Sequence, residues 1–305
     1  MRPSILCLML ACATPAGGEE PTRAKSRAPA GFWDTWGDGQ AELAGYKLTQ
    51  PRYGEAREGI AIHITVTEDF TRGARVKSDG GHGDEYPVVK LNAARDFTTG
   101  VYDYNTMSSV FVPLDGSLDW GLVTKLTFSS QEWCGQTWDQ WRVEPRQASW
   151  TGHSYFDGEA DQQKDFDLPE GTVFEDALPL LLRGLAGRSP TPGVPIKVPI
   201  IRSMQHHRFS HRPVDIGRAT ITRSPSNSTR TVPAGSFEVS EFVVAIERGP
   251  TVTWWVEEAS PRRIIAWSST DGEAGELTGS FRDPYWQHSA NRHIDMRSKL
   301  GLPTR

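Results

Sequence analysis

The sequence predicts a mainly β (α+β) fold, a strongly curved antiparallel sheet or half-barrel with one apolar helix on its concave face. Three observations predict it. A strict period of two marks strands in the first half, and short β-branched or aromatic runs separated by turn signals fill the last third. One Leu-rich segment of helical length lies between these regions. A sheet built from both halves, with the helix packed on its concave side, buries the apolar side of each.

The strands of the first half are predicted from alternation. Ile60, Ile62, Ile64 and Val66 alternate with Ala61, His63, Thr65 and Thr67, and residues 125–130 repeat the pattern. In the last third, a meander is predicted over Phe237–Glu247, Thr251–Glu257, Arg263–Ser269 and Glu276–Arg282. Its turns are predicted at Gly249-Pro250, Ser260-Pro261 and Asp271-Gly272.

The helix is predicted over the Leu-rich stretch that ends at Leu185. Thr172 and Glu175 have the spacing of a capping box, and Gly187 is placed to end the helix. Pro179 lies too deep for the first turn of a helix that starts at Thr172. The helix is therefore either kinked at Pro179 or starts later.

Composition limits the partners of the chain. The formal net charge is −5 and the basic residues do not cluster, so the electrostatic footprint of a nucleic-acid-binding protein is missing. No motif predicts a cofactor or a metal site. The eleven tryptophans supply large buried areas, which suits a core held together by packing alone.

The first residues predict export. Arg2 precedes a short apolar run that is too brief to span a bilayer and ends at Cys12. The stretch Met9-Leu10-Ala11-Cys12 resembles the lipobox of bacterial lipoproteins, in which the cysteine is acylated and anchors the mature chain. An ordinary cleaved secretory peptide, with Cys12 incidental, stays open. We therefore expect a protein of the cell envelope, on the extracytoplasmic side of a membrane.

The domain organisation follows from this reading. We assign residues 1–11 to the signal and residues 12–31 to a flexible tether, which is rich in Ala, Gly, Pro and charge. Residues 32–305 form a single β-rich domain. Cys7 leaves with the signal, and Cys12 cannot pair if it is acylated, so Cys134 is then expected to have no partner for a disulfide.

One alternative function is an envelope hydrolase or transferase that uses Cys134 and Glu132. A thiol needs a base to form a thiolate, and no histidine lies nearby in sequence. The simpler interpretation is a strand-turn-strand in which Trp133 and Trp138 lie in the core and Cys134 is a small buried side chain.

Two clusters of polar residues contain possible metal ligands, but the spacing of these residues does not favour a metal site. His206, His207 and His211 lie between two prolines in poor helix context, which favours a basic surface loop. The acidic residues 157, 159 and 161 alternate, which on a strand favours a solvated acidic edge.

Ser260-Pro261-Arg262-Arg263 is similar to a signature of the Maf family of nucleotide pyrophosphatases, in which such residues bind phosphate. In that family the motif follows the first strand of an α/β fold. Here it comes late, between two predicted strands. We expect a proline-containing turn with two solvated arginines, and the pyrophosphatase stays as a remote alternative.

Longer stretches resemble exported proteins of unknown function. Residues 32–39 together with 132–135 resemble an uncharacterised family of exported bacterial proteins. Residues 232–239, 254–256 and 262–264 resemble the last hairpins of domains of unknown function that are related to lipoprotein carriers. The resemblance implies a curved half-barrel whose concave side is plugged by helices and can accept an acyl chain or another apolar ligand.

These observations favour a non-catalytic envelope protein that binds an apolar or lipid ligand, or docks an envelope partner. The residues expected to contact the ligand are Leu178, Leu181 and Leu182 on the helix, with Trp254 facing them from the sheet. Ordinary core packing of these four side chains is the alternative.

Replacing Cys12 with Ala removes the only predicted acylation site. We expect the C12A chain to lose incorporation of labelled palmitate and to leave the membrane fraction, because no acyl chain then holds it to the bilayer. The matched control is C134A, which keeps the label. A labelled C12A chain would contradict the anchor.

Overall fold

In the described part of the chain, one sheet of sixteen strands forms the frame of the structure. The computed structural model describes residues 28–115, 123–186 and 189–304. The strands of the first half are β1 Ala41–Arg52, β2 Glu55–Thr71, β3 Glu85–Thr99, β4 Tyr102–Pro113, β5 Lys125–Glu132, β6 Gly135–Glu144, β7 Gln147–Ser154 and β8 Gln162–Asp167. Those of the second half are β9 Val173–Phe174, β10 Ile196–Ile201, β11 Ile216–Arg223, β12 Ser228–Val232, β13 Gly235–Ile246, β14 Thr251–Glu257, β15 Ile264–Ser269 and β16 Ala274–Asp283.

The two halves of the chain join at the middle of the sheet. Strand β1 pairs antiparallel with both β2 and β16, so successive hairpins run outward from this junction in both directions. The last strands of the path are β8 at one end and β9 at the other, and β9 pairs parallel with β10. The predicted fold class is confirmed: the protein is mainly β, with one strongly curved sheet that is not closed into a barrel.

Aromatic side chains bring the two ends of the sheet together across the core. The ring of Trp141 on β6 lies 4.9 Å from Phe166 on β8 and 5.3 Å from Phe174 on β9, measured between centroids. The sheet therefore curves round one apolar core, and its ends meet by packing of side chains.

The helices are short. They are α1 Phe32–Trp36, α2 Leu178–Leu182 and α3 Met204–Ser210, with 3-10 segments at Glu175–Ala177, Tyr285–Gln287 and Asn291–Leu300. Among the described residues, no helix has the length and apolar character needed to cross a bilayer.

Helix α2 is the predicted apolar helix, and it starts late. Its first residue is Leu178 and Pro179 falls in its first turn, where proline is tolerated. The predicted capping box is wrong, because Val173 and Phe174 form β9 and the Thr172 hydroxyl donates to the Pro169 carbonyl at 2.6 Å. Gly187 lies outside the described residues.

Helix α3 corrects the predicted basic surface loop. Ser203 caps it by accepting a hydrogen bond from the His206 backbone N–H at 3.1 Å. His207 and Arg208 are buried, and the Arg208 guanidinium forms an ion pair with the carboxylate of Glu132, which is also buried. Burial is possible here because the opposite charge comes from another element, which the local sequence does not reveal.

Strand β2 is covered on both faces. Ala61, His63 and Thr65 are buried on the concave side, whereas the alternate isoleucines pack outward against Leu300 and Leu302. Gly45 on β1 makes this possible, because a Cβ there would lie 2.2 Å from the Leu300 carbonyl oxygen. The C-terminal segment thus lies directly on the convex face.

Helix α2 is tied to the sheet by a buried ion pair. Arg183, at its C-terminal end, donates to Glu42 on β1 at 2.8 Å, and each side chain is only 3% exposed. The same guanidinium also donates to Thr65 Oγ1 at 3.3 Å and to the Pro261 carbonyl at 3.0 Å. The arginine therefore links the end of the helix to β1 and β2 of the first half and to the β14–β15 turn of the second.

Arg183→Met leaves the Glu42 carboxylate buried without its cation. We expect a loss of about 3–5 kcal/mol in the free energy of unfolding, measured by urea denaturation. The matched control is Arg146→Met, which removes an ion pair to Glu170 whose side chains are 70% and 86% exposed, and should lose less than about 1 kcal/mol. Equal losses in the two variants would contradict the role of the buried pair.

Candidate functional site

Helix α3 crosses the concave face and divides it into two cavities. Gln205, His206 and Phe209 line one cavity, and His207 and His211 line the other. We call the first the central cavity and the second the lateral cavity. The helix is held in place by the Arg208–Glu132 pair and by the Trp141 indole, which donates to Met204 Sδ at 3.1 Å.

The central cavity has a volume of about 220 Å³ and is bounded by strands from both halves of the chain. Its lining mixes apolar and polar groups. The side chains that decide its chemistry are those of Gln50, His63, Arg95, Thr106, Ser108, Asp176, Gln205, Trp254, Ser269 and Glu273. A pocket with this lining suits a molecule that has polar atoms, which differs from the apolar pocket that the sequence predicts.

His63 forms part of the central cavity wall within an aromatic stack. Its ring lies 5.6 Å from the Trp267 ring at an interplanar angle of 9°, and 4.8 Å from the Tyr46 ring. Burial, together with the positive charges of Arg95 and Arg183, lowers the pKa of His63 to about 3. The imidazole is therefore neutral, with one N–H donor and one acceptor nitrogen.

Two buried polar atoms on the wall of the central cavity have no partner among the described residues. They are the indole Nε1 of Trp254 and the hydroxyl Oγ of Ser269. Trp254 is only 7% exposed. A buried N–H without an acceptor costs about 1–3 kcal/mol. A ligand atom that accepts from Trp254 would remove this cost.

The acidic groups of the central cavity hold the start of α3. Asp176 accepts from Ser108 Oγ at 2.6 Å and from the Met204 backbone N–H at 3.1 Å. Burial raises the pKa of Asp176 to about 6. Glu175 accepts from Arg202 at 2.7 Å and from the Ser203 backbone N–H at 2.9 Å. These carboxyl groups position the helix that forms the cavity wall.

Of the four residues predicted to contact a ligand, only Trp254 lines the central cavity. Leu178, Leu181 and Leu182 are 1%, 3% and 0% exposed in the core, and none of them lines the central cavity. Trp254 does line it. A molecule in this cavity would therefore touch the predicted tryptophan and not the three leucines.

The Cys134 region forms the predicted strand-turn-strand, but its side chains are placed differently from the expectation. Cys134 is exposed in the β5–β6 turn, and Trp133 and Trp138 are 70% and 38% exposed, so the predicted burial of these side chains is wrong. Glu132 is committed to Arg208, and no described imidazole forms a hydrogen bond with the thiol. The thiol and carboxylate are not assembled into a reactive pair.

The Ser260–Arg263 stretch forms the predicted turn, between β14 and β15. Its arginines are not solvated as expected. The Arg263 guanidinium contacts both oxygens of Glu257 at 2.7 Å, and Arg262 lies 3.5 Å from Glu258. Arg262 also donates to the Arg183 carbonyl at 3.2 Å. Arg262 holds the turn against the C-terminal end of α2, whereas Arg263 is tied to Glu257 on β14, so the two side chains do not converge on a phosphate site.

The predicted acidic edge is instead a turn between β7 and β8. Glu159 lies 2.6 Å from His211 and Asp161 lies 2.5 Å from His153, measured between carboxylate oxygen and Nδ1. Within the described residues, no group of three or more His, Cys, Asp or Glu is arranged to hold a metal ion. Cys12 and the predicted signal lie outside the described residues.

The comparisons with known proteins add a likeness in structure. No family model matches the chain, and no curated protein matches it. A solved structure that resembles it is a β-barrel-like protein of domain of unknown function DUF1849 from Brucella abortus. The TM-score is 0.46 at 10% sequence identity, over 80% of this chain and 97% of that chain.

His63→Phe keeps an aromatic ring in the stack and removes the titratable group. In the native protein the unfolded chain takes up a proton at His63 near pH 6.5, whereas the folded chain does so only near pH 3. His63 therefore lowers stability as the pH falls between these values, by at most about 1.4 kcal/mol per pH unit.

We expect the free energy of unfolding of H63F to fall less steeply than that of the native protein between pH 6.5 and pH 3. The measurement is urea denaturation at a series of pH values. His82→Phe, at an exposed position in the β2–β3 connection, is the control and should follow the native curve. Parallel curves for H63F and the native protein would show that His63 titrates normally.

Proposed function

We propose that this chain is a non-catalytic protein of the cell envelope, attached to a membrane through Cys12, whose half-barrel binds a small ligand in the central cavity. The observation that carries the proposal is the unpartnered Nε1–H of Trp254 on the cavity wall. The attachment rests on the lipobox-like sequence at residues 9–12.

The lining of the central cavity supports a ligand that is amphipathic. Val252, Pro179 and the indole ring of Trp254 supply apolar contact. Trp254 Nε1 and Ser269 Oγ are the buried polar atoms without a protein partner among the described residues. The charged lining groups Arg95 and Glu273 pair with each other at 2.8 Å. A ligand with hydrogen-bond acceptors and little net charge therefore fits best.

A binding role also accounts for the polar groups better than catalysis does. The candidate nucleophile Cys134 is exposed in a turn and has no hydrogen bond to a base among the described residues. His63 stays neutral over the physiological range, and its ring is fixed by stacking. Nucleophilic catalysis needs a nucleophile in hydrogen-bond contact with a base, and neither Cys134 nor His63 is part of such a pair among the described residues.

Trp254→Phe tests the proposal. The substitution removes the N–H donor and keeps an aromatic ring at the wall of the central cavity. We expect native mass spectrometry of the full-length protein, purified in mild detergent, to show a bound small molecule on the native chain and about tenfold lower occupancy on W254F.

The matched control is Trp255→Phe on the same strand. Trp255 points to the other face of β14 and its Nε1 donates to Glu241 at 3.1 Å, so this variant should keep the bound mass. Finding no bound mass on the native chain, or the same occupancy in W254F and W255F, would contradict the proposal. A bound mass that fragments as an acyl lipid would identify the ligand as the lipid that the sequence predicts.

A further inference from the structure

The lateral cavity lies on the other side of α3 from the central cavity and has a volume of about 150 Å³. Its walls come from β6, β7, the β7–β8 turn and the end of α3. The residues that matter for its chemistry are Thr137, Asp139, Trp150, Gly152 and His207. This cavity has no part in the function proposed above.

The first wall of the lateral cavity is a fixed carboxylate. Thr137 and Asp139 are two residues apart on β6, so their side chains point to the same face. The Trp150 indole donates to Asp139 Oδ1 at 2.9 Å. Gly152 stands opposite Asp139 on β7, and a Cβ there would lie 2.5 Å from the Trp150 ring. The glycine therefore leaves the room that the indole needs to hold the carboxylate.

The second wall is a histidine with a defined tautomer. His207 Nδ1–H donates to the Arg212 carbonyl at 3.2 Å, and burial lowers the pKa of His207. The ring is therefore neutral and its Nε2 carries a lone pair. That Nε2 is buried and has no partner among the described residues, in a residue only 8% exposed.

A third group of the same kind is Thr137. Its hydroxyl oxygen is buried without a partner among the described residues, and the residue is 4% exposed. Two side chains that are more than nine-tenths buried, each with one unpartnered polar atom, thus line one cavity. Since unpaired buried polar groups are rare and costly in native proteins, the cavity is built for a ligand group that supplies hydrogen-bond donors.

The set of acceptors selects the ligand. Burial raises the pKa of Asp139 to about 7, so above that pH its carboxylate only accepts. His207 Nε2 also only accepts, and the Thr137 hydroxyl can accept. The nearby positive charge of Arg208 is neutralised by Glu132. We propose that the lateral cavity binds a primary ammonium group, whose three N–H donors are met by Asp139, His207 and Thr137.

Other small groups fit this set less well. A hydroxyl group donates once, so it leaves two acceptors unpaired, and a quaternary ammonium has no N–H to donate. Trp150 also lines the cavity, and a cation seated over its ring would gain cation–π attraction whether it is primary or quaternary. The hydrogen bonds therefore separate a primary ammonium from a quaternary one, whereas charge alone does not.

Methylammonium is the probe that tests the proposal. The reporter is the Trp150 indole N–H resonance of the full-length ¹⁵N-labelled protein, assigned with Trp150→Phe, because this N–H is bonded to Asp139 itself. At constant ionic strength and a pH of about 8, we expect a saturable shift with methylammonium. We expect binding at least about tenfold weaker with tetramethylammonium and with methanol.

Substitutions at the acceptors sharpen the test. Asp139→Asn keeps an oxygen for the Trp150 indole and removes the charge, so it should weaken methylammonium binding by at least about tenfold. Thr137→Val removes one acceptor at nearly constant volume and should weaken binding by about three- to tenfold. The control is Asp165→Asn on β8, at an exposed position, which should bind as the native protein does.

Several results would overturn the proposal. One is the absence of a saturable shift with methylammonium up to about 0.1 M, well above the millimolar range expected for such a small ligand. Equal shifts with tetramethylammonium or methanol would show that the three N–H donors do not select the ligand. Unchanged methylammonium binding in T137V and D139N would also overturn the proposal. If D139N does not fold, T137V alone decides the test.

Discussion

The concave face of an open sheet must be filled by the chain itself, and in this protein buried ion pairs hold that filling in place. Arg183 joins α2 to Glu42 on β1, and Arg208 joins α3 to Glu132 on β5. Both pairs are almost fully removed from water, so each charge needs its partner. The position of α3 depends on the second pair, and the walls of both cavities depend on α3.

The strands could be predicted from the sequence, because their signals are local. The alternation over residues 60–67 and the turns at Gly249-Pro250 and Asp271-Gly272 appear where expected. Helix α3 could not be predicted from the sequence, because the local context disfavours a helix: the segment contains two histidines and an arginine and is flanked by prolines. Its stability comes from Glu132 and Trp141, which are distant in sequence. The one local signal was Ser203, which caps the helix.

The candidate sites were harder to predict than the fold, for a physical reason. Trp254 was identified because Val252, Trp254 and Val256 alternate on one strand, and that strand side does face the concave interior. Alternation gives two faces of a strand without saying what covers each. On β2 the polar series faces inward, since the C-terminal segment covers the isoleucines outside. Groups such as Thr137 and His207 become neighbours only when α3 is in place.

The contact between the C-terminal segment and the sheet has a consequence for how the molecule meets others of its kind. Gly45 on β1 and Gly279 on β16 each let a backbone carbonyl of this segment lie where a Cβ would otherwise stand. The segment packs on an apolar stripe of the convex face that includes Leu43 and Val66. Without this segment the apolar stripe would be exposed to solvent and could associate with the same stripe on another copy, so the segment protects the convex face of the half-barrel from self-association.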